Sequence, residues 1–229
     1  MDRLENNLAA VRARARRAEI RAGLEPGSVR MVAVTKHVPP DVVGALWRLG
    51  QSDLGENRLQ EALAKIAAVG PGPTWHLVGH LQSNKVRKAL DRFAWIHSVD
   101  SAALLERIDR VLAENDRPAP RLLVQVNVSG ETSKFGLAPE ALEPILRRAA
   151  TRPRLAIVGL MTLAPFDPDP ERSRPAFRAL RALRDEANRE AWYRAPLEHL
   201  SMGMSGDFEV AIEEGATWVR IGTRLFDGV

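Results

Sequence analysis

At 229 residues the chain has room for one large domain or two small ones, and for a sizeable core. Hydrophobic residues at 45% and charged residues at 27% are ordinary proportions for a water-soluble fold. The absence of cysteine excludes disulfides, thiolate metal sites and a cysteine nucleophile, while a net charge of +4 requires that nucleic acid be weighed as a partner.

The first segment, residues 1–23, carries Leu4, Leu8, Val11, Ala15 and Ala18 at helical spacing, with Arg12, Arg14, Arg16, Arg17 and Arg21 among them. That predicts an amphipathic helix packed on the body of the protein with a solvated basic face. The segment has no aromatic residue to stack on bases and no uncharged core like that of a signal peptide, so neither nucleic-acid binding nor export is expected. The longest apolar run, Leu155–Phe166, is too short to cross a bilayer and contains Gly159 and Pro165. The expected location is the cytoplasm.

Beyond residue 23 short apolar runs alternate with helical patterns. Strands are predicted at Arg30–Thr35, Asp53–Gly55, Trp75–Val78, Trp95–Ser98, Leu122–Asn127, Ile157–Met161, Glu198–Ser201 and Thr217–Ile221. Helices are predicted near Asp41–Gly50, Glu56–Val69, Gln82–Arg92, Ala102–Asn115, Pro139–Thr151, Asp169–Arg194 and Gly206–Glu214, one after each strand but the last. Eight such units predict an α/β fold, a TIM-like (β/α)₈ barrel forming one domain over residues 1–229, with an open doubly wound sheet as the alternative. In either case a ligand binds beyond the C-terminal ends of the strands.

The strand ends carry the chemistry. Lys36 ends the first run, one of five lysines in a chain that takes most of its positive charge from arginine. A lysine enclosed by apolar residues is poorly solvated, which lowers its pKa and frees a nucleophilic amine, something arginine cannot supply. A lysine that snorkels to the rim remains the other reading. Ser201, Met202, Gly203, Ser205 and Gly206 follow the seventh strand, and Gly222 and Thr223 follow the eighth. Small residues there expose backbone amides to an anion, and barrels of this class often bind phosphate around these two strands. Ordinary βα turns also favour Ser and Gly. An aldehyde with a phosphate handle, pyridoxal 5′-phosphate above all, would suit an amine on one side of the mouth and an anion cradle on the other.

In order along the chain, "VAVTKHVP", "LGENRLQE", "WHLVGHLQSNK", "VNVSGETSKFG", "VGLMTLAP" and "LSMGMSGDFEVAIEEGATWVRIGTRLFD" closely resemble the pyridoxal phosphate homeostasis proteins, a family related to the barrel domain of alanine racemase, of fold-type III. The resemblance covers nearly the whole chain. It implies that Lys36 holds the cofactor as a Schiff base. It places Ser205, Gly222 and Thr223 at the phosphate, helped by Ser201 and amides near Gly203 and Met204. It sets Arg220 against the pyridine nitrogen and puts Asn57 in the lining motif. Met202, clustered with Met161 and Met204, reads as core packing or as a thioether wall beside the ring. His37 and Val38 depart from the residues that commonly follow the lysine.

An arginine can only donate, so a ring nitrogen facing Arg220 must accept and stays unprotonated, a poor electron sink. Racemisation also needs a second acid–base group, a tyrosine in alanine racemase, and the sole tyrosine here, Tyr193, falls in a predicted outer helix. The expected function is therefore a non-catalytic carrier that stores, buffers or delivers the cofactor, with apo-enzymes that need it as partners and no nucleic acid or membrane. The alternative is an amino-acid racemase with an unidentified second base. The extra β-domain of alanine racemase is missing at this length, which points to a monomer. His76 and His80 are four apart but read as strand then turn, so they should point apart, and no metal site is expected. "GMSGD" lacks the final glycine of a nucleophile elbow. Lys85 and Lys134, on the same rim, are candidates for a transient amine during cofactor entry or exit.

Overall fold

The computed structural model describes residues 2–114, 118–131 and 134–229. After α1 (Asp2–Arg21), strands and helices alternate: β1 (Arg30–Val34), α2 (Pro40–Arg48), β2 (Asp53–Glu56), α3 (Leu59–Val69), β3 (Thr74–Leu77), α4 (Val86–Leu90), β4 (Trp95–Val99) and α5 (Ala102–Ala113). The series continues with β5 (Arg121–Gln125), α6 (Leu142–Ala150), β6 (Ala156–Met161), α7 (Arg174–Arg189), β7 (His199–Ser201), α8 (Phe208–Glu213), β8 (Trp218–Ile221) and α9 (Thr223–Phe226). All strand pairs are parallel, and β8 returns to β1 with Arg30 opposite Trp218 and Ala33 opposite Ile221, closing an eight-stranded barrel. Among the described residues no helix is long and apolar enough to cross a membrane.

The expected strands are all present, and the corrections concern helices. The turn α9 follows β8, where no helix was expected. The helix expected over Asp169–Arg194 starts as a 3₁₀ turn at Pro170–Ser173 and ends at Arg189, two residues before Ala191 adopts a left-handed φ of 48°. Tyr193 therefore lies beyond the helix, buried, donating its hydroxyl to the Leu155 carbonyl and accepting from the Ile157 N–H at the start of β6. That is the floor of the barrel, opposite the mouth.

Helix α1 buries Leu4, Leu8, Val11 and Ala18 against the body, in contact with α8 and α9. Two of its arginines meet carboxylates of α8, Arg14 with Glu209 and Arg21 with Glu213 at 2.8 Å. Such surface pairs contribute about 0–1 kcal/mol each. Burying a leucine-sized side chain contributes about 1.5–3 kcal/mol, so the apolar stripe holds the helix and the charges set its register.

Two cores result. The larger lies between the strands and the helices. The inner one holds Val32, Val34, Val78, Trp95, Leu123, Met161 and Trp218. The inner core is aromatic at its floor: the Trp95 and Trp218 rings lie 5.0 Å apart at 62°, and His76 stacks on Trp95 at 5.6 Å. Arg30 covers Trp218 and Arg121 covers Trp95 from below, with guanidinium carbons 4.2 and 5.1 Å from the rings. His76 and His97 are fully buried inside. Burial pushes His97 well below its ordinary pKa, and any positive charge on His76, Arg220 or His199 pushes the same way. Burial also lowers His76, although Asp53 opposes it.

Strand β6 carries one residue more than β5 between two paired positions, since Leu122 faces Ile157 and Leu123 faces Gly159. A Cβ on Gly159 would lie 2.0 Å from the His199 carbonyl oxygen of β7. Only glycine lets this bulge close against its neighbour. Gly159→Ala is expected to cost about 2–3 kcal/mol, read from the urea midpoint, and an unshifted midpoint would contradict the packing. The neutral histidines set a second expectation. The unfolded chain takes up protons near pH 6.5 where the folded chain does not, so stability is full above that pH and falls as the pH drops below it. Unfolding at pH 5.5 should be easier than at pH 7.5, with about 1 kcal/mol of the difference due to His97 and absent in His97→Gln. Equal acid sensitivity in the variant would remove His97 from the account.

Candidate functional site

A cavity of about 480 Å³ opens at the C-terminal ends of the strands, within the range that holds small ligands. Every strand but β4 contributes to it, directly or through the loop that follows. Lys36, Asn57, Ser205, Arg220, Gly222 and Thr223 all line it, so most of the side chains expected at the site meet in one place. Ser201, Met202 and Gly203 do not line it. Ser201 is buried below Arg220, Met202 is packed in the outer core, and Gly203 is buried at the end of β7. The thioether wall is instead Met204.

Lys36 is exposed, so the apolar enclosure expected around its amine is absent. The cause is a tight turn. Val38 N–H donates to the Thr35 carbonyl at 3.0 Å, which makes Lys36 and His37 the corner residues, and His37 takes a φ of 62° where such turns favour glycine. The amine thus projects from a corner beyond β1. The buried lysine is another one: Lys65 of α3 donates to the Thr35 carbonyl and to Glu56 Oε1, both at 2.6 Å. Thr35 Oγ1 donates to the same carboxylate oxygen at 2.5 Å, and Glu56 Oε2 is buried without a partner among the described residues. The peptide link into Lys36 is therefore pinned from behind by a buried ion pair.

Across the mouth Arg220 is buried with 4% of its surface exposed, and it pairs with no carboxylate among the described residues. It donates to Ser201 Oγ at 2.6 Å and to the Thr162 carbonyl at 2.8 Å. Burial lowers its pKa to about 10, against the field of Asp207, so it stays charged at neutral pH. Below it the contacts continue. His97 Nδ1 lies 2.8 Å from Ser201 Oγ, His97 Nε2 lies 3.0 Å from His76 Nδ1, and His76 Nε2 lies 3.0 Å from Asp53 Oδ1. For Asp53 burial alone would raise the carboxyl, but the His76 hydrogen bond and the neighbouring Arg30 outweigh it and hold it below its usual range.

The loops after β7 and β8 are tied together by Ser205, whose Oγ accepts from the N–H groups of Gly222 at 3.2 Å and Arg224 at 3.5 Å. Asp207 shapes the first loop, accepting from Met204 N–H at 2.6 Å and from Ser173 Oγ at 3.0 Å. Hydroxyls, glycine backbone and a helix start face the cavity here, donors of the kind that hold a phosphate.

Other lining residues were missed or weighed for other tasks. His80 lines the cavity with its Nδ1 2.8 Å from Asp100 Oδ2, and Phe135 stacks on it at 4.3 Å. His76 points into the barrel and His80 out to the rim, so the two do not converge on a common ion. Phe135 and Phe166 stand at the mouth, 59% and 93% exposed; Phe135 lies within the VNVSGETSKFG motif, but no role was expected of either. Gly79 lets the loops after β2 and β3 touch, since a Cβ there would lie 2.2 Å from the Asn57 carbonyl oxygen. Lys85 lines an adjoining cavity of about 420 Å³ that shares Asn57, Gly79 and His80 with the first. Lys134 lines neither; its amine donates to Glu131 Oε1 at 3.2 Å and to the Leu163 carbonyl at 3.4 Å.

The profile of the family described as "Alanine racemase, N-terminal domain" matches residues 1–228. A pyridoxal phosphate homeostasis protein of Aquifex aeolicus is 43% identical over 220 residues, 96% of this chain and 95% of its own. One from Pseudomonas aeruginosa is 44% identical over 233 residues, 99% of this chain and 96% of its own. PipY of Synechococcus elongatus, solved with PLP bound, superposes with a TM-score of 0.84 at 39% identity, over 97% of this chain and 99% of PipY. With near-complete coverage on both sides, an eight-stranded barrel and a lysine at the end of β1, the chain belongs to the pyridoxal phosphate homeostasis protein family, built on the fold of the alanine racemase N-terminal domain.

Proposed function

We propose that this protein binds pyridoxal 5′-phosphate covalently through Lys36 and serves vitamin B6 homeostasis inside the cell, storing, buffering or delivering the cofactor to apo-enzymes without turning over amino acids. The donor set fits that group. Ser205, Gly222 and Thr223 would hold the phosphate, Asn57 would border the ring, and Arg220 would donate to the ring nitrogen. Ser201 acts from behind by fixing Arg220, while Met202 and Gly203 support the loop from the core. When bound, the cofactor supplies an aldehyde that forms a reversible imine with an amine. The observation that carries the reading is Arg220, a buried guanidinium with no carboxylate in contact among the described residues, lining the same cavity as Lys36. It can only donate, so it would keep a ring nitrogen unprotonated and weaken the electron withdrawal on which most pyridoxal phosphate enzymes depend.

The family membership and the binding of PLP by PipY support the same reading. We further propose one domain over residues 1–229, active as a monomer in the cytoplasm. A second reading, amino-acid racemase, draws on His80: an imidazole backed by Asp100 that lines the cavity is a group of the kind a second acid–base step requires. Tyr193, at the barrel floor, cannot serve.

The protein mixed with pyridoxal 5′-phosphate should turn yellow, and borohydride reduction followed by peptide mapping should place the label on Lys36. Lys36→Ala should lose the absorbance, and amino acids should neither be consumed nor exchange their Cα proton for deuterium. A label on another lysine, or a colourless protein, overturns the binding reading. Rapid Cα exchange that is lost in both Lys36→Ala and His80→Ala would establish the racemase instead.

A further inference from the structure

We infer that Asp53, on the barrel floor, is a positioning residue for Arg220 at the mouth, acting through a one-way chain of hydrogen bonds along the barrel interior. The inference deepens the binding reading above and rests on it for the ligand, though not for the chain itself. The direction follows from donor arithmetic. Arg220 has only donors, so its bond at 2.6 Å makes Ser201 Oγ an acceptor. Ser201 is fully buried, and among the described residues the one remaining polar atom beside its hydroxyl is His97 Nδ1, at 2.8 Å. The hydroxyl proton goes there, so Nδ1 accepts and His97 carries its proton on Nε2. That proton goes to His76 Nδ1 at 3.0 Å, which leaves the His76 proton on Nε2, pointed at Asp53 Oδ1 at 3.0 Å.

Every dipole in this chain has its positive end toward the Asp53 carboxylate and its negative end toward the Arg220 guanidinium. The opposite direction is closed, because Arg220 cannot accept. Burial of both rings favours the neutral imidazoles the chain requires. Asp53 is in turn held by Arg30, with 3.1 Å to each carboxylate oxygen. The charge at the floor thus stabilises the charge at the mouth through polarised bonds, and fixes the direction in which Arg220 spends its donors.

Nitrogen-15 spectra of the imidazoles, recorded without added cofactor, test the chain directly: His76 and His97 should both be neutral with the proton on Nε2. A proton on Nδ1 of His97 overturns the inference, and this result needs neither a variant nor cofactor binding. Coupling is tested by a double-mutant cycle read as pyridoxal 5′-phosphate affinity. Asp53→Asn should weaken binding about fivefold in the native background and less than about twofold in the Ser201→Ala background, where the chain is already cut. A variant that merely loosened the floor would cost the same in both backgrounds, and that outcome refutes the positioning role. Loss of binding in the native protein would sink the cofactor reading while leaving the imidazole spectra to judge the chain.

Discussion

A guanidinium taken out of water, with no carboxylate among the described residues against it, is a costly group to bury, and much of the mouth is arranged around it. Leaving such a charge without hydrogen-bond partners would cost several kcal/mol. Arg220 is supplied with two neutral acceptors, Ser201 Oγ and the Thr162 carbonyl, and with the field of Asp207. Each of these fixes something else. Asp207 is held by Ser173 and by the Met204 N–H, which shapes the loop that presents Ser205. Thr162 in turn donates its hydroxyl to the Val126 carbonyl at 2.8 Å, joining the ends of β5 and β6. The groups that surround this one cation are thus also groups that shape the loops beside it.

The interior below Arg220 shows how such a group is tolerated. Barrels of this kind are commonly filled by layers of branched aliphatic side chains. Here Val32, Val34 and Leu123 are joined by Trp95, Trp218, His76 and His97, and the polar atoms of the histidines are paired end to end. Aromatic faces exclude water from this chain, and the arginines over Trp95 and Trp218 close the floor. Low dielectric strengthens each internal hydrogen bond and raises the cost of breaking any of them.

The alternation of apolar runs with helical spacing made the strands and the barrel legible, because a strand buried on both faces writes itself as a continuous apolar run. Boundaries at helix starts were less legible: the 3₁₀ turns before α4, α6 and α7 share the helical spacing, and a single left-handed residue, Ala191, sets the distance between α7 and Tyr193. At the site, residues carrying hydroxyls, glycines and charges just after strands could be found by position. His80 was also found just after a strand, although weighed there only as a metal ligand, whereas Phe135 and Phe166 carry no such mark and reach the mouth through loop conformation. Ser201 was expected at the ligand, and the structure places it against Arg220 instead. Alternation along β7 does not tell whether a hydroxyl at the strand end meets a ligand or an arginine lying above it.

Lys36 and Lys65 show why the apolar run before Lys36 misled. A buried strand followed by a lysine implies a buried lysine only if the strand continues through it. Here Thr35 accepts at its carbonyl from both Val38 N–H and Lys65 Nζ, the chain turns, and the next side chain is released into the open mouth. The desolvated amine is the one that pins the turn, compensated by Glu56 in a pair that is almost wholly buried. Removing either partner would leave the other charged and unpaired in the core, a loss of about 3–5 kcal/mol. Lys36 is thus set by a hydrogen-bonded turn and left accessible, as the proposed reversible imine with an aldehyde arriving from solvent would require.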